Sequence, residues 1–281
     1  MPRLLTQRVG FTLLVIVTIL VVLPIVLVVG AIVVEGLPAI NLEFLSSAPR
    51  DGMRAGGIWP AIVGTFWLTI GTAIFSVPLG VAIGIYLSEY ARDNVFTRIV
   101  RLAIVNLAGI PSVVYGLFGL GLFVLALQFG SSILAGSLTL SIMTLPVIIS
   151  TSEEALRSVP QSFRTVSVSL GGTRWQTIRK VVVPQALPGI LTGIILGLER
   201  AAGETAPILF TAAAFFLPQL PASIFDKTMA LPYHLFVIST QVPGMPIQIQ
   251  FGTALVLLAF VLTMNLIAAT IRSYHRRKRQ W

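Results

Sequence analysis

Six long apolar stretches constrain the fold of this chain more than any other feature of its sequence. They cover roughly residues 10–34, 61–87, 102–127, 132–152, 187–216 and 251–271. A helix needs about 20 apolar residues to cross the hydrocarbon core of a membrane. Lipid gives a backbone no hydrogen-bond partners, so spanning segments must be helices or a closed barrel. The stretches are continuously apolar rather than alternating, which favours helices. The sequence therefore predicts an all-α membrane protein with six transmembrane helices.

The composition agrees with that class and excludes several kinds of site. Only 10% of the residues are charged, whereas soluble domains carry about 25%. The absence of cysteine excludes disulfides and thiolate metal sites. The two histidines, His234 and His275, lie in different segments, which argues against a zinc site. The first stretch is longer than the core of a signal peptide, so we expect a retained span. We divide the chain into a cytoplasmic segment 1–9, one transmembrane domain 10–271 and a basic tail 272–281.

Lysine and arginine are distributed unevenly among the connecting segments. If the N-terminus is cytoplasmic, 15 of the 19 Lys and Arg residues lie on the cytoplasmic side, whereas the outer segments hold Arg50, Arg54 and Lys227. Because positive residues are retained inside, we expect both termini to be cytoplasmic. This bias explains the net charge of +9 without nucleic-acid binding, and we interpret the tail as an anchor to anionic lipids. The proline-broken outer segment 217–250 predicts a short helix and extended pieces.

Three ionisable residues, Glu199, Arg200 and Glu204, interrupt the fifth apolar stretch. A charge at bilayer depth costs at least about 2.5–3.5 kcal/mol on insertion scales, so such residues usually face a polar path. The planar donor fork of Arg200 suits an anion. On a helix Arg200 and Glu204 lie one turn apart, and Pro207 predicts a kink beside them. We predict that Glu199, Arg200, Glu204 and Thr205 line a substrate path; alternatively, the charges only tie helices together.

The inner segment at about 158–187 has the pattern of two short helices. Residues 162–170 can form the first, Gly171 and Gly172 break it, and Thr173 is a candidate N-cap for a second helix over 174–183. Pro184 and Pro188 then begin the next span. The pattern indicates a rigid elbow that either docks a cytoplasmic partner or rests in the membrane interface.

The elbow sequence from Leu170 to Pro184, LGGTRWQTIRKVVVP, resembles the coupling-loop signature of ABC importer permeases. That signature is a Glu-Ala-Ala triplet, three residues, Gly, nine residues and Ile-x-Leu-Pro. Gly171 and Pro184 have the required spacing, but the triplet position holds Thr165-Val166-Ser167 and lacks its acidic member. In the family, this loop inserts into a groove on a cytoplasmic ATPase. The resemblance implies that the ATPase-coupling residues are Gly171, Gly172, Thr173, Arg174, Trp175 and Pro184.

Four further runs are similar to the A-type permeases of phosphate-specific importers. They are GGIWPAI (56–62), PLGVAIGIYLSEY (78–90), AGIPSVVYG (108–116) and RAAGETAP (200–207). The resemblance implies a type I importer bundle with a cytoplasmic coupling elbow in a bacterial inner membrane. It also implies a heterodimer with a homologous C-type permease, two copies of a cytoplasmic ABC ATPase and an external phosphate-binding protein. No Gly-x-x-x-x-Gly-Lys-Ser/Thr loop occurs, so we expect ATP and Mg on the partner ATPase and no cofactor on this chain.

Several alternatives remain open from the sequence. The chain could be the sister C-type subunit, or a permease for another oxyanion such as sulfate or molybdate. An intramembrane enzyme would need a nucleophile–base pair or a metal set within the spans, and the sequence offers neither. An ion channel gated without ATP would not need the elbow.

Overall fold

The computed structural model describes the backbone of residues 2–277 and the side chains of residues 7–273. The lipid contacts expected of side chains 274–281 lie outside that range. In chain order the helices and strands are α1 (Pro2–Gly36), α2 (Leu42–Ser46), β1 (Pro49–Arg50), β2 (Ala55–Gly56), α3 (Trp59–Ile85), α4 (Val95–Ala108), α5 (Ser112–Gly119), α6 (Ile133–Arg157), α7 (Gln161–Ser169), α8 (Arg174–Thr177), α9 (Val183–Gly203), α10 (Ala206–Thr211), α11 (Leu231–Thr240) and α12 (Ile247–Arg277). Among the described residues, five helical segments are long and apolar enough to span a membrane, or six if the bent pair of α4 and α5 counts as one. The predicted helical membrane fold is confirmed.

Helix α6 lies at the centre of the bundle, between α3 and α9. Glycines allow both neighbours to approach its backbone. A Cβ on Gly84 of α3 would lie 2.7 Å from the Ser152 side chain, and a Cβ on Gly193 of α9 would overlap Thr151. Small residues at helix contacts are the usual means of close packing in membranes, where the hydrophobic effect between helices is absent. α6 is therefore packed closely on two faces, by α3 and by α9.

Hydroxyl side chains form a polar seam between α3 and α6. Each hydroxyl on the α3 side donates to the carbonyl four residues earlier: Thr65, Thr69, Thr72 and Ser76. From α6, Ser141 Oγ also lies 3.2 Å from the Thr72 carbonyl oxygen. Buried hydroxyls need such partners because lipid supplies none. The seam therefore keeps the interior of the bundle polar without leaving these groups unpaired.

The third apolar stretch, predicted as a span over 102–127, is sharply bent and forms two helices. α4 ends at Ala108, and α5 begins at Ser112 after an extended Pro111. The axes of the two segments differ by 103°. Pro111 lacks an N–H and disfavours helical backbone at Ile110, which explains the break. After α5, the helix continues to residue 126 in wide i→i+5 turns.

The fifth stretch is also broken, and one continuous span over 187–216 was wrong. α9 ends at Gly203, Glu204 has an extended backbone (φ −76°, ψ 137°), and the short α10 begins at Ala206. The kink expected near Pro207 is therefore a complete interruption of the helix. Pro207 stands in the first turn of α10, where its missing N–H costs little.

Short elements cover the end of the bundle that the sequence places outside. β1 and β2 pair as an antiparallel hairpin. The segment between α10 and α12 holds α11 and extended pieces, as predicted. The Leu231 N–H at the start of α11 donates to Thr65 Oγ1 of α3 at 2.8 Å. His234 on α11 is buried, and this burial lowers its pKa from 6.5 to about 4.

Candidate functional site

The predicted ion pair forms at the break between α9 and α10. Arg200 Nε lies 3.4 Å from Glu204 Oε1, with side-chain exposures of 36% for Arg200 and 18% for Glu204. Arg200 stands in the last turn of α9, where the helix dipole favours a positive charge. Glu204 is the C-cap of α9, so the carboxylate reaches back from extended backbone rather than from the next helical turn. The structure thus brings together two of the predicted site residues.

The Arg200 guanidinium keeps most of its hydrogen-bonding capacity free. Among the described residues, Glu204 is its single hydrogen-bond partner, although a guanidinium carries five N–H donors. Thr205 follows the pair at the break and caps α10, where its carbonyl accepts from the Leu209 N–H at 3.1 Å. A half-exposed cation with free donors, beside an interrupted helix, can bind an anion in the plane of the fork.

The two broken spans lie side by side. α10 packs against α5, and a Cβ on Gly116 of α5 would lie 2.8 Å from Phe210 and 3.0 Å from the Pro207 Cα. Tyr115 of α5 is buried, and its hydroxyl donates to the Leu107 carbonyl of α4 at 2.6 Å. Nothing in the sequence pattern shows that α4 folds back over Tyr115, so sequence reasoning missed this contact.

Glu199 is not brought to the Arg200–Glu204 pair. It lines a cavity of about 250 Å³ between α9 and α12, with Leu198 and Met264 among its neighbours. Its Oε1 is buried without a hydrogen-bond partner in the described part of the chain. One helical step of about 100° separates Glu199 from Arg200, which explains why they face different elements. Among the described residues no group of His, Asp and Glu is arranged to hold a metal ion.

The elbow begins as the sequence predicts. The Gly171 N–H donates to the Val168 carbonyl at 2.9 Å and the Gly172 N–H to the Ser167 carbonyl at 3.0 Å. Gly171 has φ +83°, so this is a Schellman motif, the helix ending that favours glycine. Thr173 then caps α8 in a reciprocal capping box with Gln176. These local bonds fix the angle between α7 and α8.

We had expected the second helix of the elbow to end before Pro184, but it continues through this residue. α8 passes through wide turns at Ile178–Val182 into α9 and forms one helical segment, Arg174–Gly203. The Val183 N–H bonds to the Ile178 carbonyl in an i→i+5 pattern. Pro184 lacks an N–H, and the wide turn before it accommodates that gap without breaking the helix. The elbow is therefore joined rigidly to the helix that carries Arg200.

The elbow presents apolar side chains away from the bundle. Leu170 is 84% exposed and Trp175 is 56% exposed, and Val166 and Val168 are also exposed. Ile178 and Val182 are buried against the bundle, so the second helix of the elbow has apolar side chains on both its inner and its outer side. A cavity of about 600 Å³ between α7 and the helical segment of α8 and its wide turn includes Leu170 and Gln176. This surface has the shape and apolarity of a docking surface.

An ion pair that the sequence analysis missed attaches the elbow to α3. Glu89, just beyond the end of α3, accepts two hydrogen bonds from Arg164 of α7. Nearby, Arg101 of α4 bonds to Glu153 at 2.9 Å, and Arg157 bonds to the same carboxylate at 2.9 Å. The sequence offered one signal for these ion pairs: acidic residues at the ends of spans, within segments that are otherwise basic. Their partners lie far away in the sequence, so spacing could not pair them.

A known family matches this chain over most of its length. The family described as the inner membrane component of binding-protein-dependent transport systems matches residues 76–280.

Individual relatives match a large share of the chain. It is 37% identical over 227 residues to the phosphate transport system permease protein PstA 1 of Mycobacterium tuberculosis, covering 80% of this chain and 73% of that protein. It is 35% identical over 243 residues to PstA of Xylella fastidiosa, covering 85% and 83%. It is 34% identical over 249 residues to the probable ABC transporter permease protein YqgI of Bacillus subtilis, covering 84% of each.

Two solved structures share the fold. An inward-facing structure of the MetNI methionine ABC transporter matches with a TM-score of 0.62 at 17% identity, covering 78% of this chain and 97% of that chain. A bacterial ABC transporter involved in the import of the acidic polysaccharide alginate matches with a TM-score of 0.62 at 15% identity, covering 95% and 99%. At these identities the likeness establishes the fold of the bundle.

Proposed function

Because the chain belongs to the family of inner-membrane components of binding-protein-dependent transport systems, we propose that it is a transmembrane subunit of an ATP-driven phosphate importer. It is a multi-pass membrane protein and a transport subunit, not an enzyme, and its family works with an ATPase and a binding protein. Phosphate permeases among its relatives support phosphate as the cargo.

The Arg200 guanidinium is the observation that carries this proposal. It lies at the interruption of a membrane helix, half-exposed, with one long contact to Glu204 and its other donors free. Phosphate oxygens match the donor fork of arginine. Glu204 holds the guanidinium when the path is empty, and Thr205 offers a hydroxyl beside it. Arg200, Glu204 and Thr205 form the substrate path of this subunit, and Glu199 contributes from the α12 side.

The path is completed by other subunits. The subunit pairs with a homologous C-type permease, so that the exposed side of Arg200 faces the path between the two chains. Two copies of a cytoplasmic ABC ATPase dock on the elbows, and an external phosphate-binding protein delivers the anion. The coupling residues on this chain are Gly171, Gly172, Thr173, Arg174, Trp175 and Pro184. The uneven distribution of Lys and Arg supports an inner-membrane orientation with both termini in the cytoplasm.

Uptake by the reconstituted complex tests the cargo. The chain is purified with its partner subunits, inserted into liposomes with ATP inside the compartment that holds the ATPases, and supplied with radiolabelled phosphate and the binding protein. We expect ATP-dependent phosphate uptake that excess unlabelled phosphate abolishes. Sulfate or molybdate at the same concentration should change this uptake by less than about twofold. Uptake of sulfate or molybdate in preference to phosphate would refute the phosphate assignment.

A further inference from the structure

The carboxylate of Glu89, at the cytoplasmic end of α3, is buried and paired with an arginine. It belongs to the wide turn Tyr86–Tyr90 that continues α3 and is 8% exposed. Arg164 Nη2 donates to its Oε1 at 2.6 Å and Arg164 Nε donates to its Oε2 at 3.2 Å. A two-pronged, largely buried contact of this kind fixes the relative orientation of both groups.

Arg164 ties a third piece of the chain to the same point. Its Nη1 donates to the Val159 carbonyl at 2.7 Å, and its Nη2 donates to the Leu156 carbonyl at 2.9 Å. Those carbonyls belong to the end of α6 and to the link into α7. The guanidinium therefore joins α3, α6 and the first arm of the elbow, and it has little freedom to leave.

The second arm of the elbow reaches the same wide turn, Tyr86–Tyr90. Arg174, at the start of α8, donates to the Glu89 backbone carbonyl. Its guanidinium also lies 4.9 Å from the centre of the Tyr90 ring, in a cation–π contact. Both arms of the elbow thus hold Glu89, and the second arm also holds Tyr90. Moving the elbow alone would strip a buried carboxylate of its cation, which is strongly unfavourable.

The other end of α3 lies under the outer elements. Thr65 near its start accepts a hydrogen bond from the Leu231 N–H of α11. A Cβ on Gly64 would overlap the Met229 carbonyl, so α3 and the segment before α11 are in backbone contact. Residues 65 and 89 are roughly 36 Å apart along a helix. α3 therefore connects Glu89 directly to the outer loop, without α9 between them.

We propose that Glu89 is a positioning residue that joins the coupling elbow to α3, so that the elbow and the cytoplasmic end of α3 move as one rigid body during transport. This inference rests on the proposed function of an ATP-driven permease, and it assigns the elbow a second output beside its direct continuation into α9.

A distance measurement in the assembled complex tests the rigid body independently of the cargo. Because the chain has no cysteine, spin labels can be placed selectively on Arg92→Cys, beyond α3, and Ser162→Cys, at the start of α7; both residues are exposed. We expect one narrow distance distribution that ATP does not change in the otherwise unaltered chain, and an ATP-dependent shift or broadening when Glu89→Gln is added. An ATP-dependent change without Glu89→Gln would overturn the proposal.

Coupling provides the second readout. In proteoliposomes, Glu89→Gln should lower the phosphate transported per ATP hydrolysed by about 5-fold or more, at unchanged complex yield. Glu154→Gln removes an exposed carboxylate from the same side and should leave the ratio within about twofold. A covalent bridge across Glu89→Cys/Arg164→Cys, made with a short bifunctional thiol reagent, should restore coupling. An unchanged ratio of phosphate transported to ATP hydrolysed in Glu89→Gln, or no recovery of coupling on bridging, would contradict the rigid connection between the elbow and α3. If the unaltered complex transports no phosphate, the cargo assignment fails while the spin-label distances still decide this inference.

Discussion

Two arginine–glutamate pairs in this chain have different environments. Arg164 is 16% exposed and uses its donors on Glu89 and on two backbone carbonyls. Arg200 is 36% exposed and has one contact, at 3.4 Å, with Glu204. A saturated guanidinium is a structural tie, whereas an unsaturated one near lipid depth needs a further partner. The number of donors already in use therefore distinguishes Arg164, which ties the elbow to α3, from Arg200, which keeps donors free for the substrate.

Neutralising Arg200 tests the substrate contact. Arg200→Gln removes the charge and leaves Glu204 without its cation, so we expect uptake to fall by about 10-fold or more. Arg200→Lys keeps the charge but not the fork, so partial uptake is expected. The measurement is phosphate uptake at equal amounts of assembled complex, with Arg272→Gln as a control that removes an exposed positive charge from α12.

The double variant Arg200→Gln/Glu204→Gln separates the two roles of the pair. If Arg200 binds the anion, removing both charges does not restore uptake, although the complex assembles and hydrolyses ATP. Restored uptake in the double variant, or full uptake in Arg200→Gln alone, would show that the pair is only a tie between α9 and the break.

His234 should make the stability of the protein dependent on pH. Burial lowers its folded pKa from 6.5 to about 4. Above pH 6.5 both the folded and unfolded forms are neutral, and the contribution to stability is complete. As pH falls from 6.5 towards 4, the unfolded chain binds a proton that the folded chain does not, so stability falls by roughly 2 kcal/mol at pH 5. Thermal unfolding in detergent at pH 7.5 and pH 5 measures the loss.

His234→Gln removes this titration and is the matched comparison. The difference in midpoint temperature between pH 7.5 and pH 5 should be smaller in His234→Gln than in the unaltered chain. Equal acid-induced losses in the two proteins would mean that other groups, and not the buried imidazole, determine the acid sensitivity.

At the scale of elements, the elbow depends on one left-handed residue. Gly171 has φ +83°, and a Cβ placed there meets nothing within 4 Å. A substitution therefore acts through backbone strain and not through a clash. Gly171→Val should cost roughly 1–3 kcal/mol locally and uncouple ATP hydrolysis from uptake, whereas Gly171→Asn, which tolerates this conformation, should keep most of the coupling. Normal phosphate uptake per ATP in Gly171→Val would disprove the elbow as the coupling element.

The close contact between α6 and α9 gives a second prediction at this scale. A side chain on Gly193 would overlap Thr151 of α6. Overpacking of this kind typically costs about 1–3 kcal/mol, so Gly193→Ala should lower the thermal midpoint of the complex. Gly193→Ala/Thr151→Gly should recover part of the loss, and Gly10→Ala, where a Cβ meets nothing within 4 Å, should be neutral. No difference between Gly193→Ala and Gly10→Ala would show that α6 is not packed so closely.

At the scale of the whole molecule, the helical membrane fold was predictable and the breaks were not. Long apolar runs reveal spans because the backbone of a segment in lipid must form its hydrogen bonds within the protein, which a helix does. The same runs conceal an interruption, since residues on both sides of Pro111 are mostly apolar or small, and the charges at Glu199, Arg200 and Glu204 do not show that the helix stops there. Proline gave the position of the bend in the third stretch, but the angle of 103° depends on packing between distant elements.

The candidate site was predictable in part for a related reason. Arg200 and Glu204 stood out because they are charges within an apolar run, and the glycine turn of the elbow has a local signature. Glu89 and Arg164 pair across 75 positions of sequence, and the Tyr115 hydroxyl meets the Leu107 carbonyl only because α4 folds back. Local chemistry can be inferred from one sequence, whereas contacts between distant segments require the fold.

The orientation of the whole molecule can be tested with single cysteines. Ala222→Cys lies in the segment after α10 and Ser162→Cys at the start of α7, and both positions are exposed. If both termini are cytoplasmic, a membrane-impermeant thiol reagent added to intact cells should label Ala222→Cys and not Ser162→Cys, with the reverse in inside-out vesicles. The opposite pattern would invert the proposed topology. The parent chain is a built-in blank because it has no cysteine.

The contact between α1 and α12 determines when the bundle can be finished during synthesis. α1 is exposed along almost its whole described length, and its Gly36 approaches the Phe251 backbone of α12, where a Cβ would lie 2.6 Å from the Phe251 oxygen. The surface that receives α1 therefore emerges from the ribosome roughly 10 to 40 seconds after α1 itself. During that interval α1 is solvated by lipid alone, and the nascent protein is an anchored helix attached to a core still being made.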